Sequence, residues 1–224
     1  MFANSRAVTA MDGMATQMPW PKLYRARMKR ILDITLALAL LPLLGPVIAV
    51  LWLLVRRDGG SGLFLHRRVG KDGQTFDCLK LRTMVPNAKA ALAIHLACDA
   101  QAQREWARAQ KLSDDPRVTR LGRVLRRTSL DELPQIFNVL RGDMSFVGPR
   151  PVTSEELMRY GGCVGSYLAI RPGITGLWQV SGRSGVGYAE RVSLDFQYEQ
   201  SVSLFQDLRI LARTTSVVLG GTGV

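Results

Sequence analysis

Cysteine and histidine are scarce in this chain of 224 residues. Its three cysteines, Cys78, Cys98 and Cys163, lie far apart, form no C-x-x-C pair, and are accompanied by only two histidines. An odd number of isolated cysteines argues against a disulfide framework, and so few sulfur and imidazole ligands argue against a zinc site. We therefore expect free thiols, as in a protein of the reducing cytosol.

Acidic residues are also in short supply, because 18 Asp and Glu stand against 30 Lys and Arg and give a net charge of +12. Such an excess indicates an anionic partner, which by charge alone is a nucleic acid, a membrane surface or a phosphorylated substrate. The length allows one sizeable core. A hydrophobic content of 47% argues against wholesale disorder.

Charge is absent from residue 34 to residue 55, a stretch of 22 residues that is long enough to cross a bilayer as a helix. Basic residues flank it on both sides, and the positive-inside bias then places both ends on the cytoplasmic side. Pro42 and Pro46 each remove a helical hydrogen bond, so we expect a helix–break–helix that enters one leaflet and returns. A plain transmembrane span remains the alternative, because prolines also occur in spanning helices.

Beyond this stretch the pattern alternates between short elements and ordered loops. Residues 76–79, after an Asp-Gly turn, predict a small hairpin, and residues 88 to about 110 predict one exposed or interface-lying helix. Residues 121–140 show a helical period that stops at Gly142, and about 204–219 predicts a final helix.

The pair Asp131-Glu132 has two interpretations. In the structural one, which spacing alone favours, Ser129 and Glu132 form a capping box at a helix start. In the chemical one, Arg126 and the free N–H groups of the helix start bind a phosphate. One carboxylate then attacks phosphorus while the other binds a hard cation such as Mg²⁺.

Several loop residues also have two interpretations. Arginines beside Gly or Pro are either solvated surface charges or bidentate ligands of phosphate, and they are Arg150, Arg171 and Arg183. Lys80 and Arg82 are similar. Trp178 and Tyr198 either stack on a base or sugar or pack in the core, and core packing is the more usual role.

Five motifs in order give the chain a family resemblance: Lys29–Asp33, Lys80–Met84, Ser129–Gln135, Gly142–Pro151 and Arg171–Arg183. From about residue 29 to the C-terminus the sequence resembles the bacterial sugar transferases, which are monotopic phosphoglycosyl transferases. The resemblance implies a two-step reaction. An aspartate attacks the sugar-bearing phosphate of a nucleotide sugar, a nucleoside monophosphate leaves, and a polyprenyl phosphate then takes the phosphosugar.

The resemblance also implies roles for individual residues. Asp131 is then the catalytic nucleophile, and Glu132, with Asp131 beside it, holds Mg²⁺. The substrate phosphates are bound by the set Lys80, Arg126, Arg150, Arg171 and Arg183. Pro42 and Pro46 mark the break in the membrane helix.

For the whole chain we expect a helix-dominated α+β fold, in a monotopic membrane protein with a re-entrant helix–break–helix and a small cytosolic catalytic domain. Residues 1–28 form a flexible tail, 29–57 the re-entrant helix and 58–224 the catalytic domain with interface helices.

The expected location is the cytosolic face of the bacterial inner membrane. The expected partners are a UDP-sugar, undecaprenyl phosphate and the bilayer. Assembly into a homo-oligomer is a further possibility. Nucleic acid is not expected, because the arginines lie beside Gly/Pro loops rather than along one basic helix.

Two details narrow the branch that the chain resembles. It lacks the extra N-terminal spans of longer relatives, and the stretch Gly73–Lys80 and an inserted helix with Glu105-Trp106 look like enzymes that start exopolysaccharide repeats. That resemblance implies UDP-galactose or UDP-glucose as donor. A non-catalytic membrane scaffold for polysaccharide assembly, with the same fold, remains the alternative function.

Overall fold

The computed structural model describes residues 23–109, 112–182 and 187–219. A π-helical turn, Tyr24–Met28, leads into the long helix α1. The α-helices are α1 Lys29–Arg56, α2 Ala88–Cys98, α3 Ala100–Ala109, α4 Arg120–Thr128, α5 Gln135–Arg141, α6 Ser154–Leu157, α7 Val164–Leu168, α8 Leu177–Ser181, α9 Tyr188–Gln200 and α10 Leu204–Leu219. The strands are β1 Leu63–Val69, β2 Thr75–Leu81, β3 Ser145–Val147 and β4 Gly173–Thr175, and short 3₁₀ turns connect several of these elements. The fold is helix-dominated α+β, as predicted.

Helix α1 is long and apolar enough to cross a membrane by length and composition. It runs through Pro42 and Pro46 without interruption, so the predicted break in helical structure is wrong. The reason is tertiary packing: Ala37 and Ile48, which lie on either side of the prolines, are buried in one cluster with residues of β2 and α5. The side of α1 that faces away from the domain exposes large apolar side chains, among them Ile31, Leu38, Leu43, Val50 and Leu53.

Polar contacts fix the start of α1 to the C-terminal helices. The Tyr24 hydroxyl donates to Asp207 Oδ2 at 2.6 Å, the Tyr198 hydroxyl donates to Asp207 Oδ1 at 2.7 Å, and Lys29 forms an ion pair with Asp207. Residues 1–22 of the predicted flexible tail lie outside the described residues. Its described part, residues 23–28, is helical and carries the buried Tyr24, so the predicted tail boundary at residue 28 is wrong.

The end of α1 contacts the same domain. Arg82 donates to the Val55 carbonyl at 3.0 Å, and the buried Val55 side chain packs against Leu81 of β2 and Leu125 of α4. The start, the middle and the end of α1 therefore all pack on the domain formed by the later elements.

Two small sheets organise the domain. Strands β1 and β2 form the predicted hairpin, which is antiparallel with Leu63 opposite Leu81 and Val69 opposite Thr75. Strands β3 and β4 pair in parallel, which brings the Gly/Pro loop after β3 and the Gly176 turn that leads from β4 into α8 to one edge. The final helix is confirmed at Leu204–Leu219.

Two predicted helices are divided in the structure. The helix predicted from residue 88 to about 110 is broken at Asp99, whose Oδ1 accepts hydrogen bonds from Gln101 N and Ala102 N and so begins α3. The periodic stretch 121–140 is divided into α4 and α5 by the turn that contains Asp131. Gly142, at φ 96°, ends α5 as its position predicted.

Candidate active site

Asp131 and Glu132 lie in a single 3₁₀ turn, Leu130–Glu132, between α4 and α5. Ser129 has a left-handed backbone, with φ 57°, which ends α4 and turns the chain, and its side chain forms no capping hydrogen bond. The predicted capping box of Ser129 and Glu132 is therefore wrong. A capping box is present instead at Thr153 and Glu156, at the start of α6.

Asp131 is buried, with only 9% of its surface exposed. Burial, which disfavours the charged form, and the neighbouring negative charge of Glu132 together raise the pKa of Asp131 to about 6, against the opposing charges of Lys80 and Arg126. The carboxyl group is thus mostly ionised at neutral pH and poorly hydrated. Poor hydration makes an ionised carboxylate a better nucleophile.

Glu132 pairs with Lys80, whose Nζ lies 2.6 Å from Glu132 Oε1. Lys80 belongs to β2, so this ion pair joins the hairpin to the turn that holds Asp131. The structure therefore places the side chain of Lys80 beside the two acids.

Arg126, on the last turn of α4, is held by the segment that follows β2. Its Nε donates to Thr83 Oγ1 at 2.9 Å, and its charge acts on Asp131. Arg126 and Lys80 thus both act electrostatically on Asp131, the first from α4 and the second from β2.

Arg150 lies in the Gly/Pro loop after β3 and faces the same cleft. The cleft encloses about 280 Å³ of empty space, including the part open to solvent. Its lining includes Lys80, Glu132 and Arg150, and the Arg150 guanidinium lies 5.8 Å from the centre of the Trp178 ring. Three of the predicted site residues are thus collected around one opening, with Asp131 and Arg126 beside it.

Sequence reasoning missed three polar residues that line the cleft: Arg68, Gln135 and Gln179. Arg68 forms an ion pair with Glu156 at 2.7 Å, and in the sequence it is one of the basic residues that follow the membrane stretch. The hairpin register would have found it. Residues opposite each other in an antiparallel pair share a face, and Arg68 opposes Phe76, on the same face as Cys78 and Lys80.

The structure does not place two of the predicted phosphate-binding arginines in the cleft. Arg171 is directed to the end of α5, where its Nε donates to the Gly142 carbonyl at 2.7 Å, next to Arg30, which donates to the Leu140 carbonyl. Arg171 does not line the cleft. Arg183 lies outside the described residues. Tyr198 is fully buried, so the core-packing interpretation is correct for it, whereas Trp178 packs beside Arg150.

The acids of the cleft suit a magnesium ion better than a metal that needs many protein ligands. Among the described residues no group of three or more His, Cys, Asp and Glu side chains comes together. Mg²⁺ commonly binds through one or two carboxylates together with waters and substrate phosphates. Asp131 and Glu132 provide that number, although Glu132 Oε1 already accepts from Lys80.

The arrangement combines a buried carboxylate, a second acid and several cations in a cleft beside an apolar helix. Residues 24–221 match the sequence profile of the family described as bacterial sugar transferase. The chain belongs to the bacterial sugar transferase family. The match covers α1 as well as the cleft, so both are features of one family unit.

Several relatives of the chain have names that state a function. An undecaprenyl-phosphate galactose phosphotransferase of Salmonella typhimurium is 49% identical over 88% of this chain and 41% of its own length. The exopolysaccharide production protein ExoY of Rhizobium meliloti is 48% identical over 85% of this chain and 84% of its own. A UDP-glucose:undecaprenyl-phosphate glucose-1-phosphate transferase of Caulobacter vibrioides is 40% identical over 90% of this chain and 73% of its own length.

The relatives differ in how much of them the chain matches. It spans about two fifths of the Salmonella transferase, 41%, and most of the Rhizobium protein, 84%.

Proposed function

We propose that this sugar transferase moves a hexose 1-phosphate from a UDP-sugar, UDP-galactose or UDP-glucose, to undecaprenyl phosphate and releases UMP. The observation that carries the proposal is the buried Asp131, placed between Lys80 and Arg126 at the edge of a cleft that Arg150 lines. Cations around a buried carboxylate are what in-line attack on a diphosphate requires, because they offset the charge of the incoming phosphates. The names of two relatives, an undecaprenyl-phosphate galactose phosphotransferase and a UDP-glucose:undecaprenyl-phosphate glucose-1-phosphate transferase, support the same donor and acceptor classes.

In the first step an oxygen of the Asp131 carboxylate forms a bond to the phosphorus that bears the hexose. The bond from that phosphorus to the oxygen bridging the two phosphates breaks, and UMP leaves with the bridging oxygen. In the second step an oxygen of undecaprenyl phosphate attacks the same phosphorus, and the bond to Asp131 breaks. The lipid diphosphate sugar leaves and the carboxylate returns to its first state.

The remaining residues bind and orient. Arg150 and Arg126 bind the donor phosphates, and Lys80 holds Glu132 in place. Glu132, with Asp131, would hold Mg²⁺, which supplies charge neutralisation of the diphosphate and the leaving group. We assign this reaction to the first membrane step of exopolysaccharide synthesis, on the cytosolic face of the bacterial inner membrane.

The proposed membrane arrangement is monotopic, with both ends of α1 on the cytosolic side. A helix of 28 residues is about 42 Å long when straight, longer than a hydrocarbon core of about 30 Å. If it crossed the bilayer, one end would lie on the far side from the domain. Contacts of Tyr24 with Asp207 and of Val55 with Arg82 and Leu81 support one side for both ends.

The topology is tested by labelling single cysteines in intact spheroplasts with a membrane-impermeant maleimide. In a background without Cys78, Cys98 and Cys163, a cysteine at Arg27 and another at Arg57 test the two ends of α1. Neither should react until the membrane is permeabilised. Labelling of one of them from outside would establish a transmembrane span instead.

The reaction is tested by UMP release from a panel of UDP-sugars, with purified protein, Mg²⁺ and undecaprenyl phosphate. We expect release with one or two donors, none with Asp131→Asn, and full activity with Asp114→Asn, a change at an exposed carboxylate. Without the lipid acceptor, a burst of about one UMP per protein with the sugar retained on the chain supports the covalent intermediate. Equal activity of Asp131→Asn in polysaccharide assembly would instead support a non-catalytic scaffold.

A further inference from the structure

Buried side-chain polar atoms without a hydrogen-bond partner are concentrated where α8 meets α9. Among the described residues they are Trp178 Nε1, Gln179 Oε1, Arg191 Nε, Arg191 Nη2 and Asp195 Oδ1. Nearly all buried polar groups in native proteins are paired, so a group of unpaired ones in one place needs a reason. This place adjoins the cleft, because Gln179 and Arg150 line it and Arg150 contacts Trp178.

Two guanidinium groups share the Trp178 indole. Arg150 lies 5.8 Å and Arg191 5.0 Å from the ring centre, and Arg191 also lies 5.3 Å from the centre of the Tyr188 ring. Each cation is attracted by the face of an aromatic ring, but the two like charges repel each other. A negative charge close to both would stabilise the arrangement.

Asp195 supplies such a charge from α9. It is only 4% exposed, and its Oδ2 accepts a hydrogen bond from the Tyr160 hydroxyl at 2.8 Å. Both Arg191 and Arg150 act on it electrostatically. Its Oδ1 is a buried acceptor without a hydrogen-bond partner, and the Nε and Nη2 of Arg191 are buried donors without one.

The other charged and titratable groups near Asp195 and Arg191 have roles of their own. Glu156 acts on Arg191 but pairs with Arg68 at 2.7 Å, and the Tyr167 hydroxyl donates to the Val69 carbonyl. Burial raises the pKa of Asp195 to about 7, although the Tyr160 hydrogen bond and the two arginines lower it. Asp195 is therefore the carboxylate of this cluster whose charge changes near neutral pH.

We propose that Asp195 is a positioning residue, whose buried carboxylate attracts both cations beside the Trp178 ring and holds the Arg150 guanidinium toward the donor phosphates. It does not touch the donor itself. The identity of those phosphates rests on the proposed function. The structural basis is one buried acid that acts on both cations of the shared indole.

The test measures binding of UDP-galactose and UDP-glucose by calorimetry, in an Asp131→Asn parent that cannot turn over and has lost the titration of Asp131. At pH 8 we expect Asp195→Asn to weaken binding roughly tenfold, as outer-shell partners often do. At pH 6, where Asp195 is largely protonated, the same change should have little effect. The parent should bind more tightly at pH 8 than at pH 6.

Two further variants separate positioning from folding. Glu199→Gln removes a charge from an equally buried acid of α9, 6% exposed, that pairs with Arg25 away from the cleft, and should leave binding unchanged. Tyr160→Phe removes the hydrogen bond that lowers the pKa of Asp195. It should therefore move the pH dependence of binding upward, even if Asp195→Asn does not fold.

The outcomes are distinct from those of the activity assay. Equal or tighter binding by Asp195→Asn at pH 8, as simple removal of a negative charge near phosphate would give, overturns the positioning role. An equal loss at both pH values does so too, because it indicates a structural role only. A parent that binds neither UDP-sugar overturns the proposed donor as well, whereas donor binding by the parent together with no UMP release by the wild type contradicts only the reaction.

Discussion

Lys80 and Glu132 form an ion pair of 2.6 Å that joins strand β2 to the turn carrying Asp131. Both side chains are about one quarter exposed, at 22% and 24%, so the pair lies at the wall of the cleft rather than in the core. The charge of Lys80 lowers the pKa of Asp131, and that of Glu132 raises it. The pair therefore adjusts the ionisation of Asp131 and holds the Glu132 side chain in place.

Lys80→Gln should lower UMP release at pH 7 by roughly ten- to a hundredfold, the usual size for loss of a hydrogen bond to a charged group. It should also move the acid limb of the pH profile upward, because Asp131 loses a cation that lowers its pKa. The rate is measured from pH 5 to pH 9. Lys89→Gln, at an exposed lysine of α2, is the control and should match the wild type.

Activity of the wild type should rise with pH through about 6, the pKa of Asp131. The rate rises with pH because only the ionised carboxylate attacks phosphorus. Since the pKa of Asp131 is raised, the protonated, unreactive form persists to a higher pH than for an ordinary aspartate. The measurement is the pre-steady-state burst of UMP without lipid acceptor. An acid limb near pH 4 would show that Asp131 is hydrated in solution, unlike in the structure.

Gly122→Ala should destabilise the protein and lower activity together. A Cβ at this position would lie 2.0 Å from the Thr83 carbonyl oxygen, so α4 would have to move away from Thr83, which holds Arg126. We expect a loss of about 1–3 kcal/mol, typical of overpacking, measured by thermal unfolding in detergent. Gly165→Ala, also in a helix but with open space around it, should be neutral or slightly stabilising.

Asn138→Ala should cost about 2–4 kcal/mol, because it leaves buried backbone groups unpaired. Asn138 is fully buried in α5, its Oδ1 accepts from Leu79 N, and its Nδ2 donates to the Asp77 carbonyl, both at 2.9 Å. These bonds join α5 to β2. Denaturant unfolding measures the loss, and Asn87→Ala, at an exposed asparagine without a side-chain cap bond, should have a small effect. Similar losses for both variants would contradict the role of Asn138.

Local signals predicted those elements whose cause is local. The Asp72-Gly73 turn, where both residues have positive φ, predicted the hairpin, and Gly142 predicted the end of α5. The periodic segment 204–219 predicted the last helix. Where contacts between residues distant in sequence determine the local structure, the same signals were misleading. Ser129 and Glu132 have capping-box spacing, yet Ser129 ends α4 in the left-handed region and the turn buries Asp131 instead.

By itself the sequence determined the charge balance, the apolar helix, the hairpin and the identity of the acids and several cations of the site, because composition, turn residues and motif order need no tertiary contact. Only the tertiary structure decided that α1 stays helical through two prolines, since residues on both sides of them, Ala37 and Ile48, pack in one cluster with β2 and α5. It also directed Arg171 to the Gly142 carbonyl and brought Arg68 and Gln179 into the cleft. Those positions depend on contacts between residues far apart in the chain, which local sequence patterns do not predict.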